Sequence, residues 1–445
     1  MSDSYPLVEL EKLVSIHDKR RKPITKSKRT PGIYPYYGAS GIADYIDNYE
    51  FDGLYILLAE DGDNLRTRNT PIAFTAQGKF WVNNHAHVLQ GVDELDSQYL
   101  CYALQYANID SYISGSTRPK ITQSDLKKIQ VRAPAIPIRR GIAQFIKSFD
   151  EKINLNKQTN QTLEQMAQAL FKSWFVDCDP VVDNALAAGN PIPDELAHRV
   201  EVRKKAHALA DFQPLPEHIR NLFPSEFEQT GESTVGIYGW VPKGWEFGGL
   251  SSLAKFTTNR IDREVLSLDN YISTDNMLSN KSGVTKASKL PDLATAPAFK
   301  IGDILVSNIR PYFKKIWFST YEGGRSNDVL GFEAINGQAK EYLLNLLYQD
   351  AFFDYMMTTS KGSKMPRGDK KAIMDWRVII PPNGLQNFYS DFVKDYYRVI
   401  PIRNRLNNAL SELRDTLLPK LISGEIRLNS LTDTNTNQEA ELQGV

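Results

Sequence analysis

The sequence predicts an α+β protein in which two similar mixed α/β lobes are separated by two long antiparallel coiled-coil helices, as a pseudo-twofold tandem repeat. Three observations predict this fold class. The chain has 445 residues, and one domain usually takes about 150. Its second half repeats its first half. Each half ends in a long stretch whose apolar residues are spaced three and four apart, as in a coiled coil.

The repeat keeps one offset over its C-terminal part. Gly115, Pro119, Val131 and Pro134 recur 247 residues later as Gly362, Pro366, Val378 and Pro381. Near the start of each half the offset is 240, where Leu10, Leu13 and Ile16 correspond to Leu250, Leu253 and Phe256. Loops of different length in the two halves explain why the offset increases from 240 to 247. A duplicated unit therefore determines the architecture.

Composition shifts and the repeat divide the chain into six segments. These are lobe 1 (1–135), a long helix (136–175), an acidic Pro-containing linker with short helices (176–235), lobe 2 (236–381), a second long helix (382–428) and a disordered polar tail (429–445). In the lobes, short apolar runs such as Leu54–Ala59 predict strands, whereas Gln98–Tyr106 and Lys340–Tyr348 predict helices.

The two long helices carry matching apolar stripes, so the economical arrangement packs them on each other. Asn156 and Arg403 occupy equivalent central positions and should fix the register. Pro401 predicts a kink or break near Ile400. The residues predicted to pack the helix pair are Phe145, Phe149, Leu163, Met166, Leu170, Phe392, Tyr396, Leu410, Leu413 and Leu417.

Familiar catalytic signatures are missing from the sequence. It contains no phosphate-binding loop, no Gly-x-Gly-x-x-Gly, no Cys-x-x-Cys and no His-Glu-x-x-His. His85 and His87 would point the same way on a strand and could bind a metal, but no carboxylate or cysteine joins them at ligand spacing, so an ordinary strand or loop pair is the simpler interpretation. Glu60–Asn64 resembles part of a calcium loop and is better explained as a turn. Asp194 followed by Glu201 echoes a nuclease pattern, but the expected lysine is replaced by Arg203.

Basic clusters occur in both lobes, although the whole chain has 53 Lys and Arg against 53 Asp and Glu. Seven cations lie between residues 19 and 29, and residues 236–381 carry 19 cations against 15 anions. Such groups can neutralise phosphates, and arginine can bind guanine edges bidentately. The predicted DNA-binding residues are Lys19, Arg20, Arg21, Lys22, Lys26, Lys28, Arg29, Tyr36, Arg118, Lys120, Arg310, Lys314, Lys315, Arg325, Lys361, Lys364, Arg367, Lys370 and Lys371.

Four sequence signatures then point to a family. They are Leu170-Phe-Lys-Ser-Trp-Phe-Val-Asp177, Asn221-Leu-Phe-Pro-Ser-Glu-Phe227, Val241-Pro-Lys-Gly-Trp245 and Leu417-Leu-Pro-Lys-Leu-Ile-Ser-Gly-Glu425. With the tandem organisation, they resemble the DNA specificity subunit of type I restriction-modification enzymes. The resemblance covers nearly the whole chain. Lobe 1 departs from the lead-in pattern, since it has Tyr5-Pro6-Leu7 without Gly-Trp.

The resemblance implies a non-catalytic subunit whose lobes are target-recognition domains, each reading half of a split sequence in double-stranded DNA. It implies that two modification (methyltransferase) subunits dock on the helices and that restriction (motor-nuclease) subunits join them. This chain would bind no cofactor and no metal, whereas S-adenosylmethionine, ATP and Mg would belong to the partners. With no visible secretory signal, no apolar run long enough to span a membrane and only two cysteines, the expected location is the cytoplasm.

Two other functions remain open from the residues alone. A two-headed adaptor for protein partners would use the same helices but would not retain DNA. A self-contained nuclease or methyltransferase would need activity from the purified chain. The sequence contains no Asn-Pro-Pro-Tyr-type base pocket and no glycine loop for a methyl donor.

Overall fold

A computed structural model describes residues 4–428 of the chain. The predicted disordered tail, 429–445, lies outside these residues. The α+β fold class is confirmed, with two long helices and two lobes of related strand order. Among the described residues, no helix combines the length and the apolar character needed to cross a membrane.

The chain divides into two compact units, and each unit contains one lobe and part of each long helix. The first unit takes the described residues up to Asn156 and those from Arg405 onward. The second takes Lys157–Asn404. Each lobe therefore folds together with the helical segments that pack on it.

Lobe 1 is built from ten strands and three helices within residues 4–135. Its strands are β1 (Leu7–Glu9), β2 (Ser15–Ile16), β3 (Pro31–Gly38), β4 (Gly41–Ile46), β5 (Phe51–Asp52), β6 (Tyr55–Ala59), β7 (Ala73–Ala76), β8 (Lys79–Val82), β9 (Ala86–Gln90) and β10 (Gln130–Arg132). Its helices are α1 (Asn64–Thr67), α2 (Glu94–Tyr106) and α3 (Gln123–Lys128). The long helix α4 (Ile136–Phe171) follows and ends in a π-helical turn, Lys172–Val176.

The strands of lobe 1 form two four-stranded sheets, in the orders β2-β9-β6-β7 and β4-β3-β8-β5, and the ribbon β1-β10. Strand β6 is buried along its whole length. It is central in its sheet, which explains its uninterrupted apolar run. Helix α2 buries Tyr99, Leu100 and Leu104 in the same core as Ile142 and Ile146 of α4.

Between the lobes the chain forms α5 (Asp179–Ala188), α6 (Ala197–His207), α7 (Glu217–Arg220) and the hairpin β11 (Phe227–Gln229) and β12 (Trp240–Pro242). Arg203 lies 2.8 Å from Asp183, so α6 is bound to α5 by an ion pair. Arg203 stands where the nuclease-like pattern expects a lysine, and in the structure it joins these two helices.

Lobe 2 contains the strands β13 (Glu246–Gly249), β14 (Ala254–Phe256), β15 (Arg260–Asp262), β16 (Tyr271–Ile272), β17 (Thr295–Phe299), β18 (Ile304–Ser307), β19 (Ile316–Phe318), β20 (Gly323–Arg325), β21 (Val329–Ala334) and β22 (Arg377–Ile380). Its helices are α8 (Lys340–Leu347), α9 (Asp350–Thr358) and α10 (Lys370–Met374). The second long helix is α11 (Asn383–Ser423).

The duplication is visible in the backbone hydrogen bonds. The sheet β14-β21-β18-β19 repeats the order β2-β9-β6-β7, and the ribbon β13-β22 repeats β1-β10. Leu10 N donates to Ile129 O at 2.9 Å, and Leu250 N donates to Trp376 O at 2.8 Å. The two donor residues are 240 positions apart and the two acceptor residues 247, which are the two offsets of the sequence repeat. The remaining sheet differs, since lobe 2 uses the order β15-β17-β20-β16.

The long helices run antiparallel inside each unit. In the first unit Asn156 donates from Nδ2 to Asn407 Oδ1 at 2.8 Å. In the second, Asn160 donates to Asn404 Oδ1 at 2.9 Å. The polar register contact at Asn156 therefore exists, but its partner is Asn407, one turn beyond Arg403. Paired amides satisfy each other where an apolar partner would leave a buried amide without a bond.

Only some of the residues predicted to pack the helix pair lie in the contact between the two helices. Phe145 and Leu417 pack against the core of the first unit, and Leu170 and Tyr396 pack against that of the second. Phe149, Leu163 and Leu410 are half-buried. Met166, Phe392 and Leu413 are 47–49% exposed, which places them beside the contact. The buried positions of α4 include Asn156, Asn160 and Ala167, which apolar spacing does not detect.

Helix α11 is continuous through Pro401, so the predicted break near Ile400 does not occur. Proline removes the amide that would bond to the carbonyl one turn earlier. Next to it, Asn160 Nδ2 reaches Ile400 O at 3.4 Å. Packing against α4 supports the helix at this position.

Candidate nucleic-acid interface

Arg21 of the first basic cluster has a structural position inside lobe 1. Its guanidinium lies 2.5 Å from Glu60 Oε2 and donates to Ala86 O at 2.8 Å. It also lies beside the buried Asp18, which binds His87 at 2.6 Å. Burial would raise the pKa of Asp18, but the hydrogen bond from His87 and the nearby Arg21 hold this pKa below its usual range. Arg21 thus neutralises two carboxylates of its own lobe.

Other members of this cluster also have partners. Arg20 lies over the ring of Phe51 at 4.5 Å, Lys22 is 2.6 Å from Glu50, and Arg29 pairs with Asp44 at 2.9 Å and lies over the buried ring of Tyr36. Lys19, Lys26 and Lys28 are exposed. Among the described residues these three lysines make no ion pair.

A second basic element of lobe 1 is the loop 114–120. Ser114 and Lys120 exchange backbone hydrogen bonds at 2.8 Å, which closes the loop. Arg118 is exposed and lies 3.0 Å from Asp61, and Lys120 lies 3.1 Å from Glu60. His85 also contacts Asp61, at 2.9 Å. His87, the other candidate ligand, is buried and binds Asp18 and Ile121 O, so both of its ring nitrogens are already engaged.

Lobe 2 has the equivalent loop at 361–367. Lys361 and Arg367 exchange backbone hydrogen bonds, as Ser114 and Lys120 do. Arg367 pairs with Asp328 at 2.8 Å and Lys361 with Asp369 at 2.6 Å. Beside this loop, Arg310 N donates to Pro366 O at 2.8 Å. The predicted residues Arg310, Lys314, Lys315, Lys361 and Arg367 are therefore brought onto neighbouring loops.

Three lysines of this region, Lys364, Lys370 and Lys371, are exposed. Within residues 4–428 they take part in no ion pair. Lys314 instead lies 3.0 Å from Asp350, and Lys315 donates to Thr274 O at 2.6 Å.

Arg325 does not lie on this surface. It is 6% exposed, and its guanidinium donates to Thr257 Oγ1 at 2.8 Å and to Val329 O. Burial lowers its pKa to about 10, with the charge of Asp303 opposing that shift. The side chain is still cationic at neutral pH and joins β20 to β21. Its position in sequence next to the surface residues gave no sign of this burial.

Sequence reasoning missed two exposed aromatic residues. Tyr312 and Phe313 follow β18 on a 3-10 turn, with ring centroids 4.7 Å apart, and they are 48% and 36% exposed. The available signal was Pro311-Tyr-Phe-Lys-Lys315, where aromatic residues stand directly beside cations.

The fold and these loops define a duplicated, two-lobed protein with a basic surface on each lobe. Residues 3–165 match the sequence profile of the type I restriction modification DNA specificity domain. The resemblance found in the sequence is therefore confirmed, and the chain carries that domain in its first half.

Two relatives from Haemophilus influenzae extend the match. A predicted type I restriction enzyme specificity subunit is 35% identical over 137 residues, which is 31% of this chain and 35% of that protein. The HindI specificity subunit is 26% identical over 349 residues, covering 72% of this chain and 74% of that subunit. This chain thus spans about a third of the first relative and three quarters of the second.

A solved structure shares the fold. The crystal structure of a type I restriction-modification system S subunit from M. genitalium matches with a TM-score of 0.55 and 15% identity. The match covers 94% of this chain and 96% of that chain. The common architecture therefore includes the second lobe, which lies beyond the matched domain.

Proposed function

We propose that this chain is the non-catalytic specificity subunit of a type I restriction-modification complex and that each lobe reads one half of a bipartite DNA sequence. The observation that carries the proposal is the specificity domain at 3–165 together with the repeat of its sheet and ribbon order in lobe 2. Both lobes present a loop closed by paired backbone bonds, with cations on it. Loops positioned by a rigid scaffold are where recognition residues concentrate.

The remaining components follow from the same proposal. Methyl transfer and cleavage belong to two modification subunits and to restriction subunits, which bring S-adenosylmethionine, ATP and Mg. The complex works on double-stranded DNA in the cytoplasm. The specificity chain contributes recognition and assembly.

Mapping of methylated adenines by the reconstituted specificity and modification subunits tests the reading function. We expect a site of two separated half-sequences, because two similar lobes each read one.

Replacing residues 236–381 with the lobe of another specificity subunit should change one half-sequence and leave the other unchanged. Stable assembly with protein partners and no methylated DNA would instead favour a two-headed adaptor.

Docking of the modification subunits is supported by apolar side chains on the long helices. Ile138, Leu406 and Leu413 of the first unit are 40–47% exposed. Met166, Phe392 and Ile402 of the second are 48–50% exposed. On α11, Leu406 and Leu413 of the first unit are one heptad apart, so they share a face. Exposed apolar rows on a helix are typical of a partner interface.

The variant Leu406→Asp should weaken co-purification with the modification subunits by on the order of tenfold or more. Burying a leucine contributes ~1.5–3 kcal/mol, and the aspartate would also be desolvated. Asn408→Asp adds the same charge two residues away on another face and is the matched control. Both variants should keep the thermal unfolding midpoint of the wild-type chain, since both positions are exposed. Equal retention of the partner by both variants would contradict docking on this face.

A further inference from the structure

The geometry points to an apolar wedge on lobe 2, formed by Tyr312 and Phe313, that inserts into duplex DNA and unstacks a base step in the half-site read by that lobe. This inference rests on the proposed function and adds the mode of binding. The two rings are exposed at the tip of the turn after β18. Exposed apolar patches are typical of interaction sites, and these two adjacent rings form such a patch.

The turn is held in a strained backbone conformation. Asn280, Lys281, Arg310 and Lys314 all have positive φ angles, between 49° and 61°. A side chain with a Cβ rarely adopts this region, and such residues cluster where a segment must be presented in one conformation. Here they occupy both ends of the turn and the segment that pairs with it.

Backbone hydrogen bonds hold the turn from two sides. Asn280 N donates to Phe313 O at 2.8 Å, and Lys281 N donates to Lys314 O at 2.9 Å. On the other side, Arg310 N donates to Pro366 O of the loop 361–367. The rings are therefore presented on a rigid platform, which lowers the entropy lost when they bind.

The charge around the rings selects the partner. Lys315 lies 5.7 Å from the centre of the Phe313 ring, and Lys314 belongs to the same turn. Lys364 on the adjoining loop takes part in no ion pair within the described residues, whereas Lys314, Lys361 and Arg367 each pair with one aspartate. Aromatic rings surrounded by cations fit a polyanion with stacked bases, and proteins that kink DNA insert such side chains between base steps.

Lobe 1 is different at the same place in the fold. After β6 the chain continues with Glu60, Asp61 and Asp63, and it contains no aromatic residue between 60 and 68. Leu65 of that segment is fully buried, and Arg68 donates to Gln105 O and Ala107 O inside the lobe. The wedge is therefore a property of lobe 2, and we expect distortion in one half-site only.

The test uses the full chain assembled with modification subunits on its mapped DNA site. Permanganate should oxidise an unstacked thymine, or 2-aminopurine should brighten, in the half-site of lobe 2. The double variant Tyr312→Ala, Phe313→Ala should lose this signal and bind at least tenfold more weakly. Tyr238→Ala removes another exposed aromatic of the same unit and is the control. Phe313→Leu with Tyr312 retained keeps an apolar tip and should keep part of the signal.

Two outcomes would overturn the wedge while leaving the proposed function intact. One is normal binding by the double variant to the bipartite site. The other is a reactive base that persists in the double variant, because that distortion would come from the modification subunits. Failure of the wild-type complex to methylate any bipartite site would count against the proposed function itself.

Discussion

Replacing Arg139 with alanine should destabilise the first unit by about 3–5 kcal/mol, because it leaves a buried carboxylate without its counter-ion. Arg139, in the first turn of α4, is 4% exposed and lies 3.1 Å from Asp96 of α2, which is fully buried. The pair joins lobe 1 to the long helix. Urea unfolding followed by tryptophan fluorescence and circular dichroism measures the change in the midpoint and in the free energy of unfolding.

The neighbouring residue provides a matched control. Arg140 binds Asp93 through side chains that are 46% and 34% exposed. Water and salt screen such a pair, so Arg140→Ala should cost about 1 kcal/mol or less. The double variant Arg139→Leu, Asp96→Asn should recover part of the stability, since the buried charge is then removed while Asp96's bond from Val92 N can be kept. Equal losses for the two single arginine variants would contradict this account.

The architecture was predictable from sequence because duplication repeats the chemistry of whole segments. Leu10 and Leu250 are apolar at an offset of 240, and Val131 and Val378 at 247. In the structure these positions lie on the matching ribbons or directly beside them. A chance similarity of apolar residues would not reproduce the same hydrogen bonds in both lobes.

The helix contacts were less predictable because register depends on the partner helix. Apolar spacing along one helix does not distinguish its buried face from a second apolar face. Met166 and Leu413 belong to the exposed face, while the small Ala167 and the amides Asn156 and Asn160 are buried. The amide pairs could not be predicted from spacing, because Asn407 and Asn404 lie opposite Asn156 and Asn160 only in the folded chain.

The candidate site was predictable as a region and not as a set of contacts. The basic clusters of the sequence lie on a few loops of the two lobes, but charge in sequence does not show which cations are already neutralised. Arg21 and Arg325 are used inside the lobes, where Arg21 pairs with carboxylates and Arg325 donates to carbonyl oxygens. Lysines without an intramolecular partner keep their charge available for phosphates.

Removing Lys364, Lys370 and Lys371 together, each to alanine, should lower the salt dependence of DNA binding by the assembled complex. Each phosphate contact contributes nearly one unit to the slope of log K against log salt, so the slope should fall by about three. Affinity should weaken similarly for the specific site and for random duplexes, because phosphate contacts carry no sequence information. Fluorescence anisotropy at several salt concentrations measures both quantities.

The control removes the same charge elsewhere in the second unit, with Lys204, Lys205 and Lys243 changed to alanine. Lys204 and Lys205 lie on α6 between the lobes, and Lys243 directly follows β12 at the start of lobe 2; Lys204 and Lys243 lie near Glu201 and Glu226. If net charge alone governed binding, the two triple variants would lose the same slope. A surface built from the loops of lobe 2 requires the slope to fall only in the first variant. An unchanged slope there would place the DNA on another face of the lobe.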